Sequence, residues 1–177
     1  IQVLRDRVRE TGLPILYCNM VGGQDELVFD GGSFALDQDG HVAYGAPTFE
    51  ERVDILRFDG ARWASEVQAK PRSLEAEIYE ALKTGVRDYL GKNRFPGAII
   101  GFSGGIDSAL TLAVAVDALG ADKVRAVMMA SPYTAQMSLD DSREMVRRLG
   151  IRYDEIPIEP AMQVFEQMLA SQFAGLP

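Results

Sequence analysis

The residue types best suited to chemistry lie together in one short stretch, Ser103-Gly104-Gly105-Ile106-Asp107-Ser108. Its two glycines let backbone N–H groups approach an oxyanion closely, and a helix beginning here adds the positive end of its dipole. Ser103 and Ser108 offer hydroxyl donors, and Asp107 offers the hard carboxylate oxygen that Mg²⁺ prefers. The stretch therefore predicts a phosphate site with a metal ligand built into it.

The spacing of the stretch separates it from two common nucleotide loops. A Walker A loop needs a lysine before its Ser or Thr, and the turn has none; the Gly-x-Gly-x-x-Gly dinucleotide pattern is also missing. Ser-Gly-Gly-x-Asp-Ser instead resembles the pyrophosphate loop of the N-type ATP pyrophosphatases, which split ATP into AMP and pyrophosphate. The alternative is a purely structural glycine turn. The predicted nucleotide-binding residues here are Gly101, Phe102, Ser103, Gly104, Gly105, Ile106, Asp107 and Ser108.

The α/β pattern around the loop provides the elements that position it. A short apolar strand runs directly into the loop and an apolar helix leaves it, and strands and helices then alternate. Such alternation predicts a parallel, doubly wound sheet. The predicted strands are 98–102, 124–130 and 153–158, and the predicted helices are 107–119, one opened by a Ser138/Asp141 capping box and closed by Gly150, and 160–172.

The first sixty residues are predicted to be mostly β. A helix over residues 2–10 is followed by a continuous apolar run, 13–20, typical of a strand buried on both faces. A hairpin over 33–42 and a half-buried strand over 51–58 follow. Ser73 is then predicted to cap a long helix, on one face of which Ile78, Leu82, Val86 and Leu90 recur every four residues.

Composition limits the classes of partner. The chain has 177 residues, 47% of them hydrophobic, and a net charge of −8. The negative charge argues against nucleic acid or an anionic membrane as partner, and no apolar run approaches the roughly 20 residues of a membrane span. A single cysteine favours a reducing, cytoplasmic location.

The segment Asn19–Ser33 (NMVGGQDELVFDGGS) resembles the late part of a nitrilase-type amidase domain. Together with the pyrophosphate loop, it is most similar to the family of glutamine-dependent NAD synthetases, over residues from about 2 to about 172. The resemblance implies the tail of a nitrilase-like α/β sandwich over residues 1–60, a linker over 61–72, and the first half of a synthetase domain over 73–177. That half would have the adenine nucleotide alpha hydrolase-like fold, and we expect the chain to be an excerpt of a longer protein.

The resemblance also implies a reaction. Glutamine hydrolysis supplies ammonia, ATP adenylates the carboxylate of deamido-NAD with release of pyrophosphate, and ammonia then forms the amide of NAD. ATP and Mg²⁺ are the implied cofactors, with Asp107 as the metal ligand. The backbone of residues 127–130 is expected near adenine, and Gln136, in a Pro-Tyr-x-x-Gln stretch, is a nucleotide-side candidate. A symmetric homo-oligomer is implied as well.

The glutaminase residues of the family, a Glu, a Lys and a Cys, are not expected in this chain. Cys18 falls within the predicted buried strand, where a thiol behaves as a small hydrophobe. We therefore expect the chain alone to lack glutaminase activity and to be inactive as an enzyme. No residue of this chain is thus proposed as a glutaminase catalyst.

Several interpretations remain open. The loop alone is also compatible with a GMP synthetase-like or tRNA-thiolating enzyme, or with a nucleotide-binding module that has lost its chemistry. The run Gln24-Asp25-Glu26 either lines an interface between amidase and synthetase or forms a solvated turn. Asp140 and Asp141 are interpreted as helix-capping residues rather than as metal ligands.

Overall fold

The computed structural model describes residues 1–64 and 69–175 of the chain. Contacts divide the chain into two compact units, residues 1–93 and 94–177. Residues 65–68, inside the predicted linker 61–72, lie outside the described residues. The predicted domain bounds stay a prediction.

The first unit combines two helices with short antiparallel strands. Its elements in chain order are α1 (Gln2–Thr11), β1 (Ile15–Tyr17), β2 (Val21–Gln24), β3 (Leu27–Asp30), β4 (Phe34–Leu36), β5 (Val42–Gly45), β6 (Arg57–Phe58), β7 (Trp63–Ala64) and α2 (Leu74–Lys92). A three-stranded sheet has the order β1-β4-β5, and β2–β3 and β6–β7 form two separate antiparallel pairs. A small core of Val8, Phe34 and Leu36 joins α1 to this three-stranded sheet.

Local signals predicted several of these elements. Gly12 ends α1 in the left-handed conformation at φ 66°, which glycine adopts without a Cβ penalty. The Asp39-Gly40 turn connects β4 to β5, so the predicted hairpin is confirmed. The hydroxyl of Ser73 accepts a hydrogen bond from the Ala76 N–H at 3.3 Å, which confirms it as the cap of α2.

Other predictions for the first unit are wrong. The run 13–20 yields only the three residues of β1, and Leu16 and Tyr17 are exposed because β1 is paired, among the described residues, with β4 alone. The predicted strand 51–58 is reduced to the two residues of β6. On the apolar face of α2, Ile78 and Leu82 are about half exposed, whereas Thr84 of the same helix is buried.

The second unit is the parallel α/β arrangement that the alternating pattern predicted. Its strands pair in the order β10-β9-β8, and every pairing is parallel. The fold class is therefore confirmed. Its elements are β8 (Ala98–Gly101), α3 (Ile106–Leu119), a 3₁₀ turn (Ala121–Lys123), β9 (Val124–Met128), α4 (Gln136–Leu149), β10 (Arg152–Glu155) and α5 (Glu159–Leu169).

The core of the second unit holds the loop-bearing strand and helix together. Leu112 and Ala115 of α3, Val146 of α4 and Ala126 of β9 are buried in one cluster. The same cluster includes Phe102, the residue that follows β8. The β8–α3 connection is therefore anchored at its base by apolar packing.

Helix α4 begins earlier than predicted. Ala135, in an extended conformation, precedes its first residue and makes no side-chain capping hydrogen bond. Ser138 lies inside the first turn, where its N–H donates to the Ala135 carbonyl at 3.0 Å. The predicted Ser138/Asp141 capping box is therefore wrong, and Asp140 and Asp141 lie too far into the helix to cap it. Gly150 does end α4, at φ 67°.

Candidate functional site

The connection from β8 to α3 is a tight loop held at both ends. Phe102 is 3% exposed, and its N–H donates to the Val127 carbonyl at 2.8 Å, continuing the β8–β9 pairing by one bond. At the other end, the Ala109 N–H donates to the Gly105 carbonyl at 3.0 Å as α3 begins. Only three residues, 103–105, then lie between the anchored strand end and the helix.

The two serines of the loop are brought together. Their hydroxyl oxygens lie 3.0 Å apart, and the Ser108 hydroxyl donates to the Gly105 carbonyl at 2.9 Å. The Ser103 N–H donates to the Ser108 hydroxyl oxygen at 3.3 Å, and the Gly105 N–H donates to the Ser103 hydroxyl oxygen at 3.4 Å. The structure therefore brings the two predicted hydroxyl groups to one point, and their role as donors to a phosphate stays a prediction.

Gly104 is the position in the loop that requires glycine. It has a φ of 80°, in the left-handed region that L side chains rarely adopt. A Cβ built on it would also lie 2.4 Å from the carbonyl oxygen of Ser138, in the first turn of α4. Helix α4 thus packs directly against the loop, a role for Ser138 that its place in the sequence did not indicate.

The start of α3 offers donors for an anion. Its N-cap is Gly105, which has no side chain to satisfy the first N–H groups. Within the described residues, the N–H groups of Ile106, Asp107 and Ser108 have no acceptor from the protein. They add to the helix dipole at the same point, so this end of α3 suits a phosphate group.

Asp107 and Ile106 occupy the exposed first turn of α3. The Ile106 side chain is 81% exposed, so its contribution to the site is its backbone. The Asp107 carboxylate is exposed and makes no ion pair or hydrogen bond within the part of the chain that the structure describes. A free hard-oxygen donor beside a phosphate site fits Mg²⁺, whose remaining ligands are usually phosphate oxygens and water.

A cavity of about 250 Å³ opens at the carboxyl ends of β8 and β9, where ligands of parallel sheets bind. It is lined by Gly101, Phe102, Ser103, Met128, Met129 and Thr134. Thr134 is fixed there because its hydroxyl oxygen accepts a hydrogen bond from the Ser131 N–H at 2.9 Å. Sequence reasoning named the first three residues and missed Thr134, which no local signal marks.

In the predicted adenine-side segment 127–130, most backbone groups are already hydrogen-bonded within the unit. Val127 and Met128 use their carbonyls for the N–H groups of Phe102 and Ile156, and Ala130 bonds to the segment after β10 through both of its backbone groups. Among the described residues, Met129 alone in this segment has neither its N–H nor its carbonyl bonded. Met129 is therefore the position at which a base can meet free backbone groups.

Gln136 is the first residue of α4, two positions before Ser138. Its side-chain amide donates to the Asp140 carboxylate at 2.8 Å, a bond within the helix. Asp140 is also paired with Arg143 at 3.3 Å. A nucleotide-side role for Gln136 stays a prediction.

The first unit contains a cavity of about 430 Å³ that is lined in part by Cys18. Cys18 is exposed, so the prediction that it is buried in a strand is wrong. Neither histidine nor lysine is among the residues that line this cavity. Tyr44, Arg52 and Asp54 also line this cavity. The Tyr44 hydroxyl donates to the Asp54 carboxylate at 2.5 Å, and Arg52 pairs with that carboxylate.

One further group of possible metal ligands lies in the β4–β5 turn. Donor atoms of Asp37, Asp39 and His41 fall within 4.8 Å of one another. One Asp37 oxygen, however, accepts the N–H groups of Asp39 and His41 at 3.0 and 2.9 Å, the ordinary arrangement of an Asx turn. The cluster is therefore explained by the hairpin.

Within the run Gln24-Asp25-Glu26, Gln24 ends β2 and Asp25 and Glu26 form the β2–β3 turn. Asp25 adopts a φ of 52°, and Asp25 and Glu26 are both exposed.

No helix of the described residues is long and apolar enough to cross a membrane.

Comparison with known proteins gives the same family throughout the chain. The NAD synthase family matches residues 78–175. Over 100% of the present chain, it is 44% identical to the glutamine-dependent NAD(+) synthetase of Acinetobacter baylyi. Over 98% of the present chain, it is 48% identical to the glutamine-dependent NAD(+) synthetase of Rhodobacter capsulatus. It spans 33% and 32% of those two proteins, about a third of their length.

A solved structure gives the same match in three dimensions. The glutamine-dependent NAD+ synthetase of Acinetobacter baumannii, in complex with adenosine diphosphate, superimposes with a TM-score of 0.94 at 44% identity. The match covers 99% of this chain and 34% of that one.

Proposed function

Since the chain belongs to the NAD synthase family, we propose that it forms the ATP-activating part of a ligase that makes the amide of NAD. The proposal is carried by one observation: free N–H groups and two serine hydroxyls converge at the start of α3, beside a cavity with free backbone groups. The N–H groups and hydroxyls suit a phosphate chain, and the cavity with its free backbone groups suits a base. The ADP complex of the Acinetobacter baumannii relative supports an adenine nucleotide as the ligand.

We propose that the substrate is deamido-NAD. Its nicotinate carboxylate oxygen attacks the α-phosphorus of ATP, the bond from that phosphorus to the bridging oxygen breaks, and pyrophosphate leaves with the electron pair. Ammonia then attacks the acyl carbon of the adenylate, AMP leaves, and the amide nitrogen loses a proton. Adenylation is needed because a free carboxylate is a poor electrophile.

In this scheme the loop stabilises the departing pyrophosphate. Charge that builds on the leaving oxygens is met by the free N–H groups of Ile106 to Ser108. The hydroxyls of Ser103 and Ser108 bond within the loop, and they donate to the leaving oxygens once they rotate out of those bonds. The carboxylate of Asp107 would hold Mg²⁺, which supplies further neutralisation of phosphate charge. The Met129 N–H and carbonyl offer one donor and one acceptor, the pair that the N1 and N6 edge of adenine requires.

Glutamine as the ammonia source belongs to the longer relatives and comes to this chain as a proposal. The chain spans about a third of those relatives, and we expect it not to hydrolyse glutamine by itself. A homo-oligomer and a cytoplasmic location are proposed on the family resemblance and the single cysteine.

The test is an Asp107→Asn substitution in the full-length protein that carries this chain. Pyrophosphate release from ATP and deamido-NAD with ammonium should fall about a hundredfold, because a catalytic metal contributes several kcal/mol to transition-state stabilisation. The matched control is Asp141→Asn, an exposed aspartate of the same unit, which should keep the normal rate.

The outcomes separate the alternatives. Normal pyrophosphate release by Asp107→Asn would show that the metal role is wrong. A wild-type protein that binds ATP with Mg²⁺ but releases no pyrophosphate would be a binding module. A wild-type protein that forms no NAD from deamido-NAD, ATP and ammonium would refute the proposed reaction.

A further inference from the structure

Two side chains of α2 hold both backbone polar groups of a single residue in the β2–β3 hairpin. The Gly23 N–H donates to the Asp88 carboxylate at 2.7 Å, and the Lys92 ammonium donates to the Gly23 carbonyl. Asp88 and Lys92 are four residues apart, so both project from one face of the helix. We call this arrangement the Gly23 clip.

The backbones of the hairpin and the helix approach each other unusually closely at the clip. A Cβ on Gly23 would lie 3.2 Å from the Gly85 Cα, and one on Gly22 would lie 2.9 Å from the Asp88 carboxylate. On the helix side, a Cβ on Gly85 would lie 3.3 Å from the Val28 side chain. Glycine on both sides therefore makes the contact possible, which a solvated hairpin would not require.

The charges at the clip favour an ionised Asp88. Burial is the largest influence on its pKa and acts to raise it. The Gly23 N–H, the Arg87 side chain and the charge of Lys92 act in the opposite direction, and the pKa ends below its usual value. Arg87 pairs with the other carboxylate oxygen at 3.1 Å, so each oxygen of Asp88 has a partner. Hydrogen bonds to a charged acceptor are stronger than neutral ones.

The clip joins two parts of the chain that differ in their proposed roles. Gly23 lies in the segment that precedes the NAD synthase match, whereas Asp88 and Lys92 lie inside the match at 78–175. Along the chain, α2 ends at Lys92, and β8, which leads into the phosphate loop, begins at Ala98. The hairpin and α2 belong to one compact unit.

We propose that the Gly23 clip is the joint that keeps the ammonia-supplying part of the protein in register with the ATP-using part, with Asp88 as its positioning residue. The inference rests on the proposed function, because it assumes that ammonia made upstream is consumed downstream. A joint at this place acts on the transfer of ammonia between the two parts. It leaves the chemistry at the phosphate loop unchanged.

The experiment compares two rates in the full-length protein: NAD formation with glutamine and NAD formation with ammonium. Asp88→Ala should lower the ratio of the glutamine rate to the ammonium rate about fivefold or more, the lower end of the usual coupling between sites. Asp88→Asn should retain most of the ratio, because the amide oxygen still accepts the Gly23 N–H. Asp6→Ala, an exposed aspartate on α1 of the same unit, is the matched control and should leave the ratio unchanged.

An unchanged ratio in Asp88→Ala, or an equal fall of both rates, would overturn the inference and leave the clip a purely structural contact. If Asp88→Ala does not fold, as judged by circular dichroism, Lys92→Met removes the other half of the clip and the same ratio decides. Failure of the proposed function would be visible separately, as a wild-type protein without ammonium-supported NAD formation.

Discussion

The sharpest prediction concerns Gly104, because two independent features of the structure forbid a side chain there. An alanine at φ 80° would cost about 1–2 kcal/mol in backbone strain. Its Cβ would lie 2.4 Å from the Ser138 carbonyl oxygen, whereas ordinary contacts are 3.4–4 Å, so the loop or α4 must move. Such overpacking costs about 1–3 kcal/mol. Gly104→Ala should therefore destabilise the second unit by about 2–5 kcal/mol.

Two other glycines, Gly105 in the same loop and Gly91 in α2, give controls for the same substitution. Gly105 has a φ of −82°, and its Cβ would meet only the Ser103 hydroxyl at an ordinary 3.5 Å, so Gly105→Ala should keep the unit folded. Gly91, in α2, has open space where a Cβ would stand, with nothing within 4 Å, and Gly91→Ala should stabilise the helix by about 0.5–1 kcal/mol. Position within the backbone, and not loss of glycine as such, decides the result.

The assay is amide hydrogen exchange of α3 and α4 in the 177-residue chain, combined with calorimetric titration of ATP with Mg²⁺. Exchange in these helices should accelerate in Gly104→Ala, and ATP affinity should fall at least about tenfold, since 1.4 kcal/mol corresponds to a factor of ten. The single tryptophan, Trp63, lies in the first unit. The urea unfolding curve followed by its fluorescence should therefore be the same in Gly104→Ala as in the wild type. Wild-type exchange in α3 and α4 of Gly104→Ala would refute the reasoning from the Ser138 contact.

Two further predictions concern the first unit. Cys18 is exposed, so the folded chain should react with a thiol reagent such as Ellman's reagent at a rate close to that of a free thiol. Cys18→Ala should leave the unfolding midpoint unchanged. A thiol protected from the reagent would contradict the exposed position. Burial, followed by the hydrogen bond and the charge of Asp54, raises the pKa of Tyr44 to about 12. The folded state then holds its proton more tightly than the unfolded state, so this stabilisation is complete below about pH 10 and is lost as the pH rises towards 12. Tyr44→Phe should flatten that decline in urea unfolding, and an identical decline in both proteins would be inconsistent with the raised pKa.

The geometry of the loop 103–108 could be predicted from sequence because its signals are local. The glycines, serines and aspartate lie within six residues, and the strand and helix on either side have clear apolar patterns. The serine pairing follows from that spacing once α3 begins at Ile106. A local motif of this kind needs no knowledge of distant contacts.

The free backbone groups of Met129 depend on contacts that no local pattern contains. Met129 stands out because its neighbours use their backbone groups in bonds to Phe102 and to residues after β10, both of them far from Met129 along the chain. Likewise, whether the run 13–20 is buried depends on how many strands lie beside it. In the structure β1 is an edge strand, which exposes residues that a central strand would bury. An apolar run alone does not distinguish these two cases.

The paired glycines at the Gly23 clip carry a sequence signal for a close backbone contact. Paired glycines are common in turns, and Gly22 and Gly23 directly precede the run Gln24-Asp25-Glu26, for which a solvated turn is one of the two predictions. In the structure they lie in β2, and their lack of side chains admits α2, which itself has a glycine at the point of contact, Gly85. Three glycines from two distant segments of the chain thus serve one close approach, and Asp88 supplies the directional bond that apolar packing lacks. A glycine pair in a strand is therefore better interpreted as a sign of a closely packed partner backbone, and that partner is then sought among glycines on a helix.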